Sequence, residues 1–451
     1  MIILGTQKIS NFYNDTVSRI SKKLINVKYT YIFIFMYKLL LDLIYYNFIG
    51  NVYDFLYIEF STLNFINGWL TIAIMALWVH KCYQYNTPSM IIYIMLVLCY
   101  FIPMTTYCSF GGGSSSFLLL GIVYWAILTF VQFKFPMPYF SFKNNKVNNT
   151  KVENICFYLT ILLVSMLMIY VWVRYANFRI LLSLFDVYDI RAEANSYDMS
   201  AIITYAIQLT RIIIPILIVL SLNKRKYIIF AWLLFITLIS FSYDGSKTVI
   251  LLPVILIAGY IFYRKEMISC IVPGFVIIQV VAIIEQIKGM GIIVTLLFRR
   301  QGVLLAKLSE DYYRFFLDHP TDIFRNSILG KLGFNSIYNV EISKVIGNNY
   351  ETQIVNCNNG LLADVFSGIG IVSIVVMPIV LVICFRLLDF VAYGIDRRLI
   401  IGLSIYYAMI FMNTTWSTVL LTHGFIIMCI VLIFFPRNDI KDDNRIGVMI
   451  N

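Results

Sequence analysis

Residues 285–364 read EQIKGMGIIVTLLFRRQGVLLAKLSEDYYRFFLDHPTDIFRNSILGKLGFNSIYNVEISKVIGNNYETQIVNCNNGLLAD. These 80 residues form the one long polar segment of the chain, far more than a connection between two neighbouring helices needs. The segment carries Lys288, Arg299, Arg300, Lys307, Arg314, Arg325, Lys331 and Lys344. Between them stand Tyr312, Tyr313, Phe315 and Phe316, and near its end the run Asn356-Cys357-Asn358-Asn359-Gly360. Which side of a membrane it faces, and what it holds there, decides how the rest is understood.

Outward from this stretch the chain is apolar. Of 451 residues 60% are hydrophobic and 13% charged, and the mean hydropathy is +0.81. An ordinary soluble domain carries about twice that charge, so the chain belongs to the polytopic membrane class. In lipid every backbone polar group must be satisfied internally, which leaves helices or a closed barrel. The apolar runs are continuous and near 20 residues, without barrel alternation, so the expected fold is an all-α polytopic membrane protein. About twelve spans are expected, near 30–50, 64–79, 89–107, 116–134, 154–174, 201–222, 227–243, 248–264, 267–285, 366–388, 399–413 and 416–435. Residues 1–29 form a basic arm, 286–365 the large loop between helices 9 and 10, and 436–451 a tail.

The net charge of +11 follows from loop lysines and arginines, and nothing resembles a nucleic-acid module. Charge alternates from loop to loop. The arm (Lys8, Arg19, Lys22, Lys23, Lys28), Lys81, the group Lys134, Lys143, Lys146 and Lys151, the run Lys224-Arg225-Lys226, Arg264-Lys265, Arg397-Arg398 and the tail (Arg437, Lys441, Arg445) are basic. The stretch 51–64 carries Asp54 and Glu59 with no lysine or arginine, and 108–116 is uncharged. By the positive-inside rule both termini are cytoplasmic and the large loop lies outside, where its eight basic residues need another explanation. Its high apolar fraction suggests helical pieces lying on the membrane: 290–307, 309–317 ended by His319-Pro320, 322–330 and 337–345. No internal repeat is visible. The eight cysteines lack ligand-like spacing; Cys108 and Cys357 are expected in outer loops, where spacing alone does not decide a disulfide.

Ionisable groups within or beside spans are the informative ones, since burying them costs several kcal/mol, roughly. Arg211 lies inside the sixth span: either a buried pair with Glu285 or Asp244, or part of an anion site. The turn Asp244-Gly245-Ser246-Lys247-Thr248 looks like the tail of a phosphate loop but lacks its first glycine and strand, so nucleotide binding is rejected. A helix N-terminus bearing Lys247 remains, either a phosphate contact or a lysine reaching the headgroups. The segment 186–193 alternates in sign; it is a solvated helix, or Arg191 contacts substrate, while Arg179 is structural. Arg299-Arg300 and Arg314 offer donors to phosphate, and Tyr312 and Tyr313 offer faces and hydroxyls to a sugar; the bland alternative is a basic surface on anionic lipid. Asn359 in its Asn/Gly run suits a tight turn or a sugar contact equally. His319 and His423 are as readily structural as catalytic, and His80 is incidental. No metal-ligand or serine-hydrolase spacing occurs, so no metal and no cofactor are expected.

The order of Val187-Tyr188-Asp189-Ile190-Arg191, Gly245-Ser246-Lys247-Thr248, Arg299-Arg300 with Tyr312-Tyr313-Arg314-Phe315-Phe316, and Asn359-Gly360 with Asp364 ahead of Gly368 and Gly370, together with one large late loop, resembles the O-antigen polymerase (Wzy) family. The resemblance runs from about residue 180 onward. It implies a GT-C-like, metal-independent membrane glycosyltransferase at the outer face of a bacterial inner membrane. Such an enzyme moves a growing glycan from undecaprenyl diphosphate onto a lipid-linked repeat unit, and its partners are undecaprenyl-diphosphate-linked oligosaccharides, membrane lipids, a chain-length regulator and a flippase. Cations would stabilise the diphosphate leaving group: Arg191, Arg211, Lys247, Arg299, Arg300 and Arg314. The base that takes the acceptor proton would be Glu285, Asp364 or His319. The Arg-x(10)-Gly loop motif of some members is absent, so no loop-based mechanism is carried over. A flippase, another transporter or an O-antigen ligase are the alternatives; a transporter would be expected to show internal repeats.

Overall fold

The computed structural model describes residues 15–85, 87–135, 150–181, 190, 191, 193, 194, 196–263, 267–326, 329, 330, 333–350, 356–435 and 437. Lys8, Lys143, Lys146, Asp186, Val187, Tyr188, Asp189, Arg264, Lys265, Lys331, Lys441 and Arg445 lie outside the described residues.

Among the described residues, ten helices are long and apolar enough to cross a membrane. They are α1 (Val27–Ile49), α2 (Thr62–Tyr85), α3 (Pro88–Phe110), α4 (Ser115–Lys134), α5 (Asn154–Arg174), α6 (Ile202–Asn223), α7 (Tyr227–Asp244), α9 (Met267–Ile287), α12 (Leu361–Val391) and α14 (Trp416–Ile433). Two more of the expected spans are helices of only 16 and 17 residues, α8 (Lys247–Phe262) and α13 (Arg397–Asn413). At 1.5 Å per residue these reach about 24–26 Å, short of a bilayer core of about 30 Å. Two further helices lie within the polar segment, α10 (Leu304–Asp318) and α11 (Ile342–Tyr350). No named β-strand occurs among the described residues; Glu59 and Gly111 make a single bridge.

Helix ends follow local chemistry. The side chains of Asn26, Ser114, Ser200 and Asp396 each accept a backbone N–H from the first turn of the helix that follows. Pro88 opens α3, where its missing N–H is no loss. Gly245 closes α7 at φ 64, a left-handed position that costs glycine little.

The axis of the bundle is α3, whose most apolar 18 residues are all buried, whereas only a third of those of α2, α5 or α9 are. The short α13 packs between α8 and α3. Gly259 and Gly402 allow the α8–α13 approach: a Cβ on Gly402 would stand 2.9 Å from Leu256 Cα. Helices α5, α6 and α7 share a separate core of Phe157, Met168, Ile218, Leu233 and Ile236.

Contacts sort the helix ends into two groups. At one end Ser89 meets Asp389, Arg386 meets Gln132, Arg398 lies over Tyr260, and Lys224 bonds Asn154. At the other Arg299 lies over Tyr53, Ser114 meets Glu310, and Trp416 meets Asp364. Because Arg398 at the start of α13 sits beside Tyr260 at the end of α8, those two helices run antiparallel. Lys247 is therefore at the same end as Asn413.

The polar segment does not simply rest on the surface. A π-helical stretch, Val294–Val303, leads directly into α10, and α10 is buried against the second half of α3 and the start of α12. Its charges enter because they are paired four residues apart: Lys307 with Asp311 at 2.7 Å and Glu310 with Arg314 at 2.8 Å. Tyr312, Phe315 and Phe316 supply the apolar area. Two shorter π turns, Tyr45–Ile49 and Val97–Phe101, pack against Val294–Val303. The tenth apolar run also begins earlier than its hydropathy suggests. Helix α12 starts at Leu361 and is broken at Gly370 (φ 58). A second break, at residues 421–424, interrupts α14, so His423 sits in a non-helical turn rather than inside a continuous span. Cys108 lies within α3 as a buried free thiol, not in an outer loop, and makes no disulfide with Cys357.

Candidate functional site

A cavity of about 410 Å³ opens where α10, the turn after it, α11, the start of α12 and the α13–α14 junction meet. That volume falls in the roughly 300–1,000 Å³ range of small-molecule sites. Three carboxylates line it, Asp322, Glu341 and Asp364. Amides (Asn326, Asn358, Asn359), hydroxyls (Tyr312, Ser343, Ser367, Thr414, Thr415, Ser417, Thr418, Thr422) and the Phe324 ring complete most of the wall. No lysine or arginine lines it among the described residues.

The wall is fixed from several sides. Gly360 donates its N–H to Met412 O at 3.0 Å. A Cβ at Gly360 would stand 2.0 Å from Phe411 O, so only glycine lets the Asn/Gly run lie against the end of α13. Asn359 is spent on this turn: its amide nitrogen donates to Leu305 O and Ser309 Oγ, both at 2.9 Å, and its oxygen accepts the Gly360 N–H. Asp364 then falls in the first turn of α12. It is 8% exposed, and its Oδ2 accepts the Trp416 N–H at 2.8 Å. No other side-chain hydrogen bond to it occurs among the described residues, and the carboxylate faces the cavity. Opposite, the chain at 322–323 donates two N–H groups to Ser367 O and Gly368 O. Asp322 accepts from Ser336 Oγ and the Asn326 N–H, both at 2.5 Å. Ile323 (φ 52), Phe324 (φ 56) and Leu361 (φ 48) hold left-handed backbone that a β-branched or bulky residue rarely adopts, and of the three Phe324 lines the cavity. Strain of this kind persists where surrounding structure enforces it, and functional sites collect it. Tyr312 donates its hydroxyl to Cys357 O at 3.1 Å; burial, and then the Asp364 carboxylate, push that hydroxyl well above its ordinary range, so it is a donor and not a base.

A second group lies around the α7–α8 turn. Arg211 pairs with Asp244 at 2.9 Å, the first of the two alternatives its position allowed. Its Nε and Nη2 are buried without a hydrogen-bond partner among the described residues. Asp244 also accepts the Ser246 N–H at 3.0 Å, and Arg191 donates to Gly245 O at 3.3 Å. Arg191, Asp244 and Ser246 border a pocket of about 240 Å³, and Lys247 stands exposed at the start of α8. Arg179 makes an ion pair with Glu193 at 2.7 Å, a structural role.

The remaining candidates are distributed. Arg299 lies 4.2 Å over the Tyr53 ring, with its Nε unpartnered among the described residues, and Arg300 is exposed. Glu285 accepts the N–H groups of Ile292 (3.2 Å) and Ile293 (2.8 Å), capping the helix that follows. Arg314 is engaged with Glu310 and Gly112 O. Tyr313 packs between Phe117 and Phe366. His319 is exposed, stacks on Phe315 at 4.0 Å, and its Nδ1 meets Phe315 O. Of the twelve candidates, Tyr312, Asn359 and Asp364 meet at the large cavity; Arg191, Arg211 and Lys247 gather at the α7–α8 turn; the other six do neither.

Sequence reasoning missed several charged groups that the structure buries. Lys38 is fully buried, with its ammonium on Asp42 Oδ1 at 2.6 Å and Thr106 Oγ1 at 2.9 Å. Arg386 and Asp389 pair at 3.0 Å, and Asp389 caps α3 through the Ser89 N–H at 2.8 Å. Glu310 is fully buried, and its Oε1 accepts the Ser114 N–H at 2.7 Å. An acid and a base three or four residues apart inside an apolar run was the available signal for the first two pairs. No known protein family, no curated protein and no solved structure matches this chain.

Proposed function

We propose that this chain is a membrane glycosyltransferase that polymerises lipid-linked oligosaccharide repeat units, an enzyme of the O-antigen polymerase type. One observation carries the reading: an apolar helical bundle opens, at one end, into a cavity walled by carboxylates, amides, hydroxyls and an aromatic ring around the buried Asp364. Polyhydroxylated ligands are recognised by such donors and acceptors together with aromatic faces. In this reading twelve helices span a bacterial inner membrane, with α8 and α13 crossing as short, protein-surrounded spans. The cavity end faces the periplasm. Basic residues at the opposite end, including Lys81, Lys134, Lys224, Arg225, Lys226, Arg397 and Arg398, support a cytoplasmic placement for that end, together with the N-terminal arm and the tail.

In the reaction the bond from the anomeric carbon of the growing glycan to the undecaprenyl diphosphate oxygen breaks. A bond from that carbon to an acceptor hydroxyl oxygen forms, and the acceptor proton passes to a base. Asp364 is the base this geometry favours, because Glu285 is committed to capping and His319 is exposed on Phe315. The leaving diphosphate needs cations rather than an acid. Arg299 and Arg300 stand at the cavity end without an acidic partner among the described residues, whereas Arg211 is neutralised by Asp244.

The breaks in α12 and α14 beside a buried carboxylate favour a transporter as the second reading, since discontinuous helices line many transport sites. Proteoliposomes loaded with undecaprenyl-diphosphate-linked repeat units separate the two. A polymerase yields a ladder of glycan lengths; movement of units across the bilayer without a ladder would establish the transporter.

A further inference from the structure

The cavity's charge says which sugars it takes. Three carboxylates line it and no described cation does. Asp322 is satisfied internally by Ser336 and Asn326, so it shapes the wall rather than waiting for a ligand. Asp364 is different. It is nine-tenths buried and faces the cavity, and its one side-chain hydrogen bond among the described residues goes to Oδ2, which leaves Oδ1 open to a donor on a ligand. Glu341 stands at the rim, 65% exposed, with Lys344 at 3.7 Å as a loose surface partner. Such an exposed pair is screened and weak, so it does not reverse the sign of the site. Arg325 is flanked by Phe324 and Asn326, which line the wall, but does not line it itself.

A carboxylate on the seated sugar would lose water, meet Asp364 at close range and find no described cation to pair with. Uncompensated burial of like charges costs more than the contact returns. A hydroxyl or an N-acetyl N–H would instead donate to Asp364, and the asparagine and threonine walls would serve the remaining hydroxyls. We infer that the sugar residue seated in this cavity is uncharged, a neutral hexose or N-acetylhexosamine, and that uronic acids are excluded from it. The inference rests on the glycosyltransferase reading above and adds the substrate class to it.

Two probes test it on the full chain purified in detergent: a neutral trisaccharide of hexoses and N-acetylhexosamine, and the same trisaccharide with one hexose replaced by its uronic acid. Isothermal titration should show the neutral probe binding at least tenfold more tightly at low salt. Glu341→Lys, a change at an exposed rim position that leaves the fold intact, should narrow the gap by strengthening the acidic probe alone. Equal or tighter binding of the acidic probe by the unsubstituted protein overturns the inference. If that protein still builds a ladder from lipid-linked units, the polymerase reading survives the loss. If neither probe binds and no ladder forms, both fall together.

Discussion

Lys38 and Asp42 offer a quantitative test of the bundle. The ammonium sits 2.6 Å from Asp42 Oδ1 and 2.9 Å from Thr106 Oγ1, and Thr106 also donates to Asp42 Oδ1 at 2.8 Å. Lys38 is 0% and Asp42 5% exposed, so neither charge has water to fall back on. Lys38→Met keeps the side chain's length and leaves Asp42 with the Thr106 hydroxyl as its remaining donor, while Asp42 Oδ2 has no partner even now. Breaking one member of a buried pair costs roughly 3–5 kcal/mol. At the lower bound that is a factor of about a hundred in the folding equilibrium. Asp42→Leu should cost a similar amount by stranding the lysine. The double substitution removes both desolvated charges and should lie within about 1 kcal/mol of the parent, because apolar replacements of buried pairs are often neutral. Thermal unfolding of the four proteins in one detergent, followed by tryptophan fluorescence, measures the cycle. A double mutant whose loss equals the sum of the two single losses would mean that the charges do not act on each other, and the buried Lys38–Asp42 pair described here would be wrong.

Three further outcomes follow from the site. Gly360→Ala places a methyl 2.0 Å from Phe411 O and 2.6 Å from Thr414 O. Backbone carbonyls cannot step aside as a flexible side chain can, so a loss of at least about 1–3 kcal/mol and loss of glycan binding are expected; unchanged thermal stability would contradict the close approach. Tyr312→Phe removes one hydrogen bond to Cys357 O and should cost about 1 kcal/mol without abolishing polymer formation, readable as a small drop in unfolding temperature beside a normal ladder. Glu285→Ala exposes the N–H groups of Ile292 and Ile293 and should destabilise by about 0.5–2 kcal/mol, while Glu285→Gln, which still accepts, should recover much of it. A loss of polymer in Glu285→Gln with stability retained would return Glu285 to the list of proton acceptors.

The helical architecture was legible because its cause is local. Length and apolarity of each run predict a helix, and among the described residues each of the twelve runs is largely helical, with breaks at Gly370 and at 421–424. Where the sequence misled, the cause was tertiary. Leu304–Asp318 has the composition of a surface helix, with Lys307, Glu310, Asp311 and Arg314 in two turns. It is buried because those charges cancel along its own axis and because the Ser114 N–H, nearly two hundred residues away, supplies what Glu310 lacks. The break at Gly370 is marked by a glycine, but Gly259 and Gly402 lie inside unbroken helices, where they serve close packing. Glycine alone does not tell a hinge from a contact. Lys38 and Asp42 were readable as a pair from their spacing; Thr106, from another helix, was not. For the site, Asp364, Tyr312 and Asn359 could be picked out by type and neighbourhood. The role of Asn359 as a turn clasp, and the partnership of Asp322, Glu341 and the Thr414-Thr415 corner with Asp364, depend on segments up to about fifty residues apart. Of the basic residues that dominate the sequence pattern, Arg191, Arg211 and Lys247 gather at the α7–α8 turn, Arg299 lies over Tyr53, and no described lysine or arginine lines the cavity.

Asp364 is the residue on which polymer formation should depend most directly. In proteoliposomes carrying undecaprenyl-diphosphate-linked repeat units, the unsubstituted protein should build a ladder of glycan lengths. Asp364→Asn, which still accepts the Trp416 N–H and fills the same volume, should keep its unfolding temperature within a few degrees and leave only single units. A full ladder from Asp364→Asn would contradict the assignment of this cavity as the place where the acceptor proton is taken.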